Sequence, residues 1–166
     1  MTSSYLSNIR VLVVDDHAFV RRMVCEILRT FGCRDIHEAK NGIEAWQEIQ
    51  NAVPDLAIID WEMNPGSGLE LVRRLRDAEQ SPDAFLPIIM ITAHAEKGYV
   101  TQARDAGVTE YLIKPISAKS LVRRIEEVVD RPRPYVRLPD YFGPDRRRKA
   151  CHDPKEERRG AAAQAA

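Results

Sequence analysis

The chain has 166 residues, enough for one domain and an appendage. Its hydrophobic content of 44% can fill a core, yet no run reaches the ~18 apolar residues of a membrane-spanning helix, and MTSSYLSNIR lacks the basic start and apolar middle of a signal peptide. The net charge of zero conceals a split: residues 131–166 hold ten basic and five acidic side chains, while the rest hold fifteen and twenty, so a basic, anion-seeking tail follows an acidic body.

Five short apolar runs appear in chain order: IRVLVV (9–14), RDIHEA (34–39), DLAIID (55–60), LPIIMIT (86–92) and TEYLIK (109–114). The first, third and fourth are rich in Val and Ile, as buried parallel strands are. Helical stretches separate them. Ala18 to Phe31 places Phe19, Met23, Ile27 and Phe31 on one stripe, and Gly32 stops it. Asn41-Gly42 precedes a helix through Ile43, Trp46 and Ile49. Ser67 or Gly68 opens a third, through Leu69, Val72 and Leu75. Gly98 to Ala106 is a fourth, ended by Gly107, and Ser117 caps a fifth through Leu121, Ile125 and Val128. Strict alternation implies an α/β fold, a doubly wound five-stranded parallel sheet with helices on both faces. Periodicity ends at Asp130, where the domain boundary is placed: 1–130 is one domain and 131–166 a tail. Cys25, Cys33 and Cys151 show no metal-ligand spacing, so ordinary thiols in a reducing, cytoplasmic setting are expected.

In such folds ligands bind at the carboxyl ends of the strands. There the sequence puts Asp15 and Asp16 after the first strand, Asp60 at the third, Thr92 at the fourth and Lys114-Pro115 at the fifth. Crowded carboxylates repel one another, and a hard cation such as Mg²⁺ relieves this. Beside a metal, a carboxylate can act as nucleophile and become an aspartyl phosphate. Lys114 offers a point cation for a phosphate oxygen, and Thr92 a hydroxyl.

These residues carry a family resemblance. VLVVDD (11–16), IID with Met63 and Gly68 after it, MITA (90–93) and YLIKPI (111–116) make residues 9–130 resemble a CheY-like response-regulator receiver domain. The resemblance implies a flavodoxin-like sheet of order 2-1-3-4-5. It implies Asp60 as phospho-acceptor, with Asp15, Asp16, Asp60 and the backbone carbonyl of Glu62 around Mg²⁺. Thr92 and Tyr111 would be the switch pair and Lys114 the phosphate-binding group. A histidine kinase or phosphotransfer protein is implied as donor, and the face of the fourth helix, fifth strand and fifth helix as the output surface. Two departures stand out: Pro65 comes one residue late, and the stretch around AEQSPDAF is slightly long. Glu62 and His94 sit where side chains reach the phosphoryl group, and His17 adjoins the acidic pair.

The tail, RPRPYVRLPDYFGPDRRRK, is proline-broken and low in aliphatics, so by itself it is expected to be disordered or folded only by a ligand. It is too small for a helix-turn-helix, and DNA is not an expected partner. Arg131, Arg133, Arg137, Arg146, Arg147 and Arg148 offer planar forks, Tyr135, Tyr141 and Phe142 offer stacking faces, and Asp140 and Asp145 offer acceptors. Arginine reads guanine O6 and N7, a carboxylate accepts from the guanine N1–H and N2–H₂ edge, and rings stack on bases. This segment resembles the arginine-rich extension of the Cle-type effectors, stand-alone receivers that bind cyclic di-GMP and tune the flagellar motor. The implied ligand is therefore cyclic di-GMP and the implied partner the motor switch, with residues 150–166 outside the resemblance and expected to be disordered. Rival readings are a phosphorylation-only response regulator with an inert tail, a basic run Arg146-Arg147-Arg148-Lys149 that is solvated or docks on the receiver's acidic surface, salt-sensitive contact with RNA or an anionic membrane, and a metal-dependent phosphohydrolase. The expected protein is a signalling molecule, not an enzyme.

Overall fold

Side chains alternate along a strand, so each apolar run feeds two faces of a sheet. In the computed structural model, which describes residues 6–147, the runs become β1 (Arg10–Val14), β2 (Asp35–Ala39), β3 (Leu56–Asp60), β4 (Ile88–Thr92) and β5 (Glu110–Ile113). All neighbours pair in parallel in the order β2-β1-β3-β4-β5, as expected. Between and after them run α1 (Ala18–Thr30), α2 (Gly42–Ala52), α3 (Gly68–Arg76), α4 (Lys97–Ala106) and α5 (Ala118–Val129). Leu12, Val14, Ala57, Ile59, Ile88 and Met90 face α2, α3 and α4 through Trp46, Ile49, Val72, Leu75 and Ala103. Val11, Val13, Leu56, Ile58, Ile89 and Ile91 face α1 and α5 through Val24, Leu28, Leu121 and Ile125. Both faces are covered, which is why the central strands read as unbroken apolar runs.

The helix signals in the sequence are used. The Asn41 side chain accepts from the N–H groups of Ile43 and Glu44 at the start of α2. Ser67 with Glu70, and Ser117 with Ser120, form reciprocal capping boxes on α3 and α5. One expectation holds only in part. Phe19, at the start of the expected stripe, is 74% exposed, while Ile27 and Phe31 of the same stripe pack partly buried against the core beside the fully buried Val24, Cys25 and Leu28. Two neighbouring stripes of α1 are apolar, and periodicity alone does not choose between them.

The expectation of a disordered tail is corrected for Tyr135–Pro144. β6 (Tyr135–Leu138) and β7 (Tyr141–Pro144) form an antiparallel hairpin packed on the domain. Tyr141 is buried, and Tyr135 and Phe142 gather around Phe85 at centroid distances of 5.2 Å. Gly107, in a left-handed turn (φ 96°), meets Gly143 so closely that a Cβ on Gly143 would lie 2.9 Å from the Gly107 Cα. Arg76, also buried, sits beneath: its Nε donates to Gly107 O at 3.0 Å, its Nη1 to Ala84 O at 2.7 Å, and its guanidinium lies 5.2 Å from the Tyr135 ring. Low aliphatic content does not prevent this order, because three aromatic rings supply the apolar surface and the receiver supplies the other half of the core. Arg148, Lys149, Cys151 and the stretch 150–166 lie outside the described residues. Among the described residues no helix is long and apolar enough to cross a membrane.

Candidate functional site

Parallel strands end together, so β1, β3, β4 and β5 bring Asp15, Asp16, Asp60, Thr92 and Lys114 to one edge. Asp60 is 2% exposed and Asp15 3%. Lys114 Nζ lies 2.8 Å from Asp60 Oδ1 and 3.9 Å from Asp15 Oδ2. The Asp15 carboxylate accepts from His17 N at 2.8 Å and that of Asp16 from Asn64 N at 3.1 Å. Both Asp60 oxygens and Asp16 Oδ1 are nonetheless buried without an aligned hydrogen bond. The Lys114 contact, and the 2.8 Å contact of His17 Nδ1 with Asp16 Oδ1, are therefore charge contacts, not directed bonds. Burial pushes Asp60 up to about 6; Lys114 opposes that shift, while the neighbouring Asp15 and Asp16 charges add to it.

Orphaned buried carboxylate oxygens are costly. A hard divalent cation would satisfy them, and Asp15, Asp16 and His17 offer ligand atoms within 4.8 Å of one another. The carboxylates of Asp15, Asp16 and the neighbouring Asp60 fit Mg²⁺ in donor type and charge, and the His17 imidazole, a nitrogen donor, does not.

Further polar and aromatic side chains surround Asp60. Thr92 is fully buried, and its Oγ1 accepts from His94 N at 3.0 Å. Tyr111 is half-buried, with its hydroxyl donating to His94 O at 2.6 Å. Burial raises the Tyr111 phenol above its ordinary value. The His94 backbone thus joins both switch candidates. Its ring stacks on Tyr99 at 4.0 Å, and its Nε2 meets Glu62 Oε1 at 2.8 Å. Trp61 meets Tyr99 edge-on at 5.4 Å. Glu62 and His94 were legible as reaching toward the acceptor, but not as partners of each other. Trp61 and Tyr99 carried no sequence signal beyond being aromatic.

The predicted nucleotide residues lie elsewhere. The hairpin touches Leu86 and Thr109, which precede β4 and β5, at the opposite edge of the sheet from Asp60. Tyr135 OH donates to Leu86 O at 3.4 Å. Arg133 donates to Thr109 O and, at 3.1 Å, to Asp145 O, and stands 3.7 Å from Glu110. Arg146 covers the Tyr141 ring at 4.0 Å and reaches Asp105 at 3.4 Å. Arg137 lies 5.0 Å from the Phe142 ring. Arg131 pairs with Glu127 at 3.4 Å, and Asp145 accepts from Arg147 N at 3.0 Å. Asp140 is exposed between the two strands. Arg133, Tyr135, Tyr141, Phe142 and Arg146 therefore serve the docking of the hairpin, a role that charge alone allowed for Arg146 on the acidic receiver surface and that the sequence did not announce for the other four.

Residues 11–126 match the family model described as the response regulator receiver domain. Chemotaxis protein CheY1 of Helicobacter pylori is 37% identical over 121 residues, 72% of this chain and 96% of that protein. Chemotaxis protein CheY-3 of Vibrio cholerae is 32% identical over 124 residues, 75% of this chain and 94% of that protein. Among solved structures, Vibrio cholerae chemotaxis protein CheY4 superposes with a TM-score of 0.66 at 31% identity, covering 72% of this chain and 98% of that one. The family match ends at residue 126, before the hairpin.

Proposed function

The chain belongs to the response regulator receiver family, and from that premise we propose that it accepts a phosphoryl group on Asp60 and reports its presence through Tyr111 and the α4–β5–α5 face. The observation that carries this is the buried Asp60 carboxylate, unbonded at both oxygens, with Lys114 at 2.8 Å. Asp15, Asp16, Asp60 and the Glu62 backbone carbonyl are the groups that would hold Mg²⁺, whose charge offsets those of the carboxylates and the phosphoryl oxygens. A carboxylate oxygen of Asp60 forms the bond to phosphorus as the bond to the donor's histidine nitrogen breaks. Lys114 places positive charge beside the acceptor. Thr92 then turns its hydroxyl toward the phosphoryl group, which takes Oγ1 away from His94 N. The same His94 backbone receives the Tyr111 hydroxyl, so Tyr111 moves with it.

The donor in this reading is a histidine kinase or phosphotransfer protein, and the setting is the cytoplasm. The chemotaxis names of the relatives support a motility partner such as the flagellar motor switch. The protein acts as a signalling molecule, not an enzyme. The tail is read as a sensor of cyclic di-GMP through Arg131, Arg133, Arg137, Arg146, Arg147 and Arg148 with Asp140 and Asp145, a reading supported by guanidinium groups already stacked on Tyr141 and Phe142. A phosphorylation-only regulator with an inert tail is the rival.

Incubation with acetyl phosphate and Mg²⁺, followed by intact-mass measurement, should add one phosphoryl group to the wild type and none to Asp60→Asn. Equal labelling of both would end the assignment of Asp60. Repeated rapid turnover of a generic phosphate ester would instead favour the phosphohydrolase.

A further inference from the structure

Among the grooves that the receiver chemistry does not use, one gathers side chains from the receiver and the hairpin. It is an open cavity of about 460 Å³, within the range of small-molecule sites. Its walls come from three places: Arg73 on α3, Gln102 and Asp105 on α4, and Asp140, Tyr141 and Phe142 on the hairpin. Arg73, Gln102 and Asp140 are exposed. None of the three has a side-chain hydrogen bond or ion pair among the described residues. A cation, an amide and a carboxylate thus face one space beside two aromatic residues, each already flanked by an arginine: Arg146 at Tyr141 and Arg137 at Phe142.

This set has a chemical meaning. A carboxylate accepts from the N1–H and N2–H₂ groups of guanine, whereas adenine presents an acceptor at N1 and repels it. A guanidinium clamps a phosphate through two parallel bonds. An amide serves either a base edge or a sugar hydroxyl. The walls are also held in place beforehand. Tyr141 is buried, Gly143 rests on Gly107, and Arg76 ties the α3 end to the α4–β5 turn, so little ordering remains to be done on binding.

We propose that this groove is a guanine-nucleotide site, that the receiver's own Arg73 and Gln102 complete it, and that the hairpin binds its ligand docked instead of as a free tail. Asp140 reads the base, Arg73 takes a phosphate, and the Phe142 side supplies the stacking wall. The inference rests on the reading of the tail as a guanine-nucleotide sensor, and adds to it two side chains outside the tail.

The test is calorimetric titration of cyclic di-GMP into the full chain, into Arg73→Ala and Gln102→Ala, and into Arg29→Ala as a distant exposed control, with cyclic di-AMP run in parallel. Both groove positions are exposed, so the variants should melt with the wild type. Micromolar or tighter binding by the wild type and the control, weakened about tenfold or more by Arg73→Ala and about threefold or more by Gln102→Ala, is the expected result. Unchanged affinity in both groove variants would overturn the groove while leaving a tail-only site standing. No binding to the wild type would overturn the guanine reading of the tail itself. Equal affinity for the two cyclic dinucleotides would overturn the base-reading role of Asp140.

Discussion

Asp60 holds its proton to higher pH than an exposed aspartate because the folded chain removes water from it and sets two further carboxylates nearby. Its folded value of about 6 lies above the ordinary carboxylate value of 3.8. A group raised in this way contributes its full stability below the unfolded value and loses it as pH rises through the folded one. In a chelated sample, the contribution of Asp60 to wild-type stability should therefore fall between about pH 4 and pH 6, by up to roughly 3 kcal/mol. Asp60→Asn lacks this loss, so its stability relative to wild type should rise over the same window. Urea unfolding at several pH values in EDTA measures the difference, and a flat difference would contradict the assigned burial cost. Added Mg²⁺ should shrink the wild-type loss near pH 7, since a cation replaces the missing proton at the orphaned oxygens. At this scale the sequence was highly legible for Asp15, Asp16, Asp60, Thr92 and Lys114, because each stands at the end of an apolar run. The pairing of Glu62 with His94 was not legible, since a contact across 32 positions leaves no local pattern.

Elements connect these residues. α3 begins at a capping box in which the Ser67 hydroxyl accepts from Glu70 N and the Glu70 carboxylate accepts from Ser67 N. Ser67 also bridges Glu62, so the cap closes the loop that follows Asp60. Ser67→Ala should cost about 1 kcal/mol, and Ser67→Asn much less, in denaturant midpoint experiments. Equal losses for both would place the effect in the loop and not in the cap. The helix starts at Asn41-Gly42, at Ser67 or Gly68 and at Ser117 could be read ahead because capping depends on three or four neighbouring residues, and the structure chooses Ser67 as the cap of α3. The exposure of Phe19 on α1 could not be read ahead. Phe19 and Val24 lie on adjoining stripes, and only the position of the sheet decides which is covered.

Across the whole molecule, the hairpin makes the tail part of the folded body. Tyr141 buries its ring on the α4 side and donates its hydroxyl to Pro144 O at 2.7 Å. Tyr141→Ala should cost about 3 kcal/mol, the loss expected for a buried aromatic. Tyr141→Phe, which keeps the ring, should cost only about 1 kcal/mol. A Tyr141→Ala variant that unfolds at the wild-type denaturant midpoint would mean that the hairpin adds nothing to stability. The arrangement also bears on signalling. Arg133 grips Thr109 and Glu110 at the start of β5, Tyr111 follows, and Lys114 closes the other end beside Asp60. One short strand therefore connects the tail to the pocket around Asp60.

The sequence by itself determined the parallel sheet, its helices and the convergence of five polar residues on one edge. Each of those follows from local period and from where a run stops. The charge split and the aromatic–arginine tail were equally plain in composition. Only the tertiary structure decided that the tail folds on the receiver, because its core is shared: Phe85, Arg76 and Gly107 come from the body, and Tyr135, Tyr141 and Gly143 from the tail. It likewise placed Arg73 and Gln102 beside Asp140, residues from three separate elements that only the folded chain brings to one groove. Low aliphatic content predicts disorder for a segment that must bury its own surface, and it loses that meaning when a neighbouring domain provides the partner.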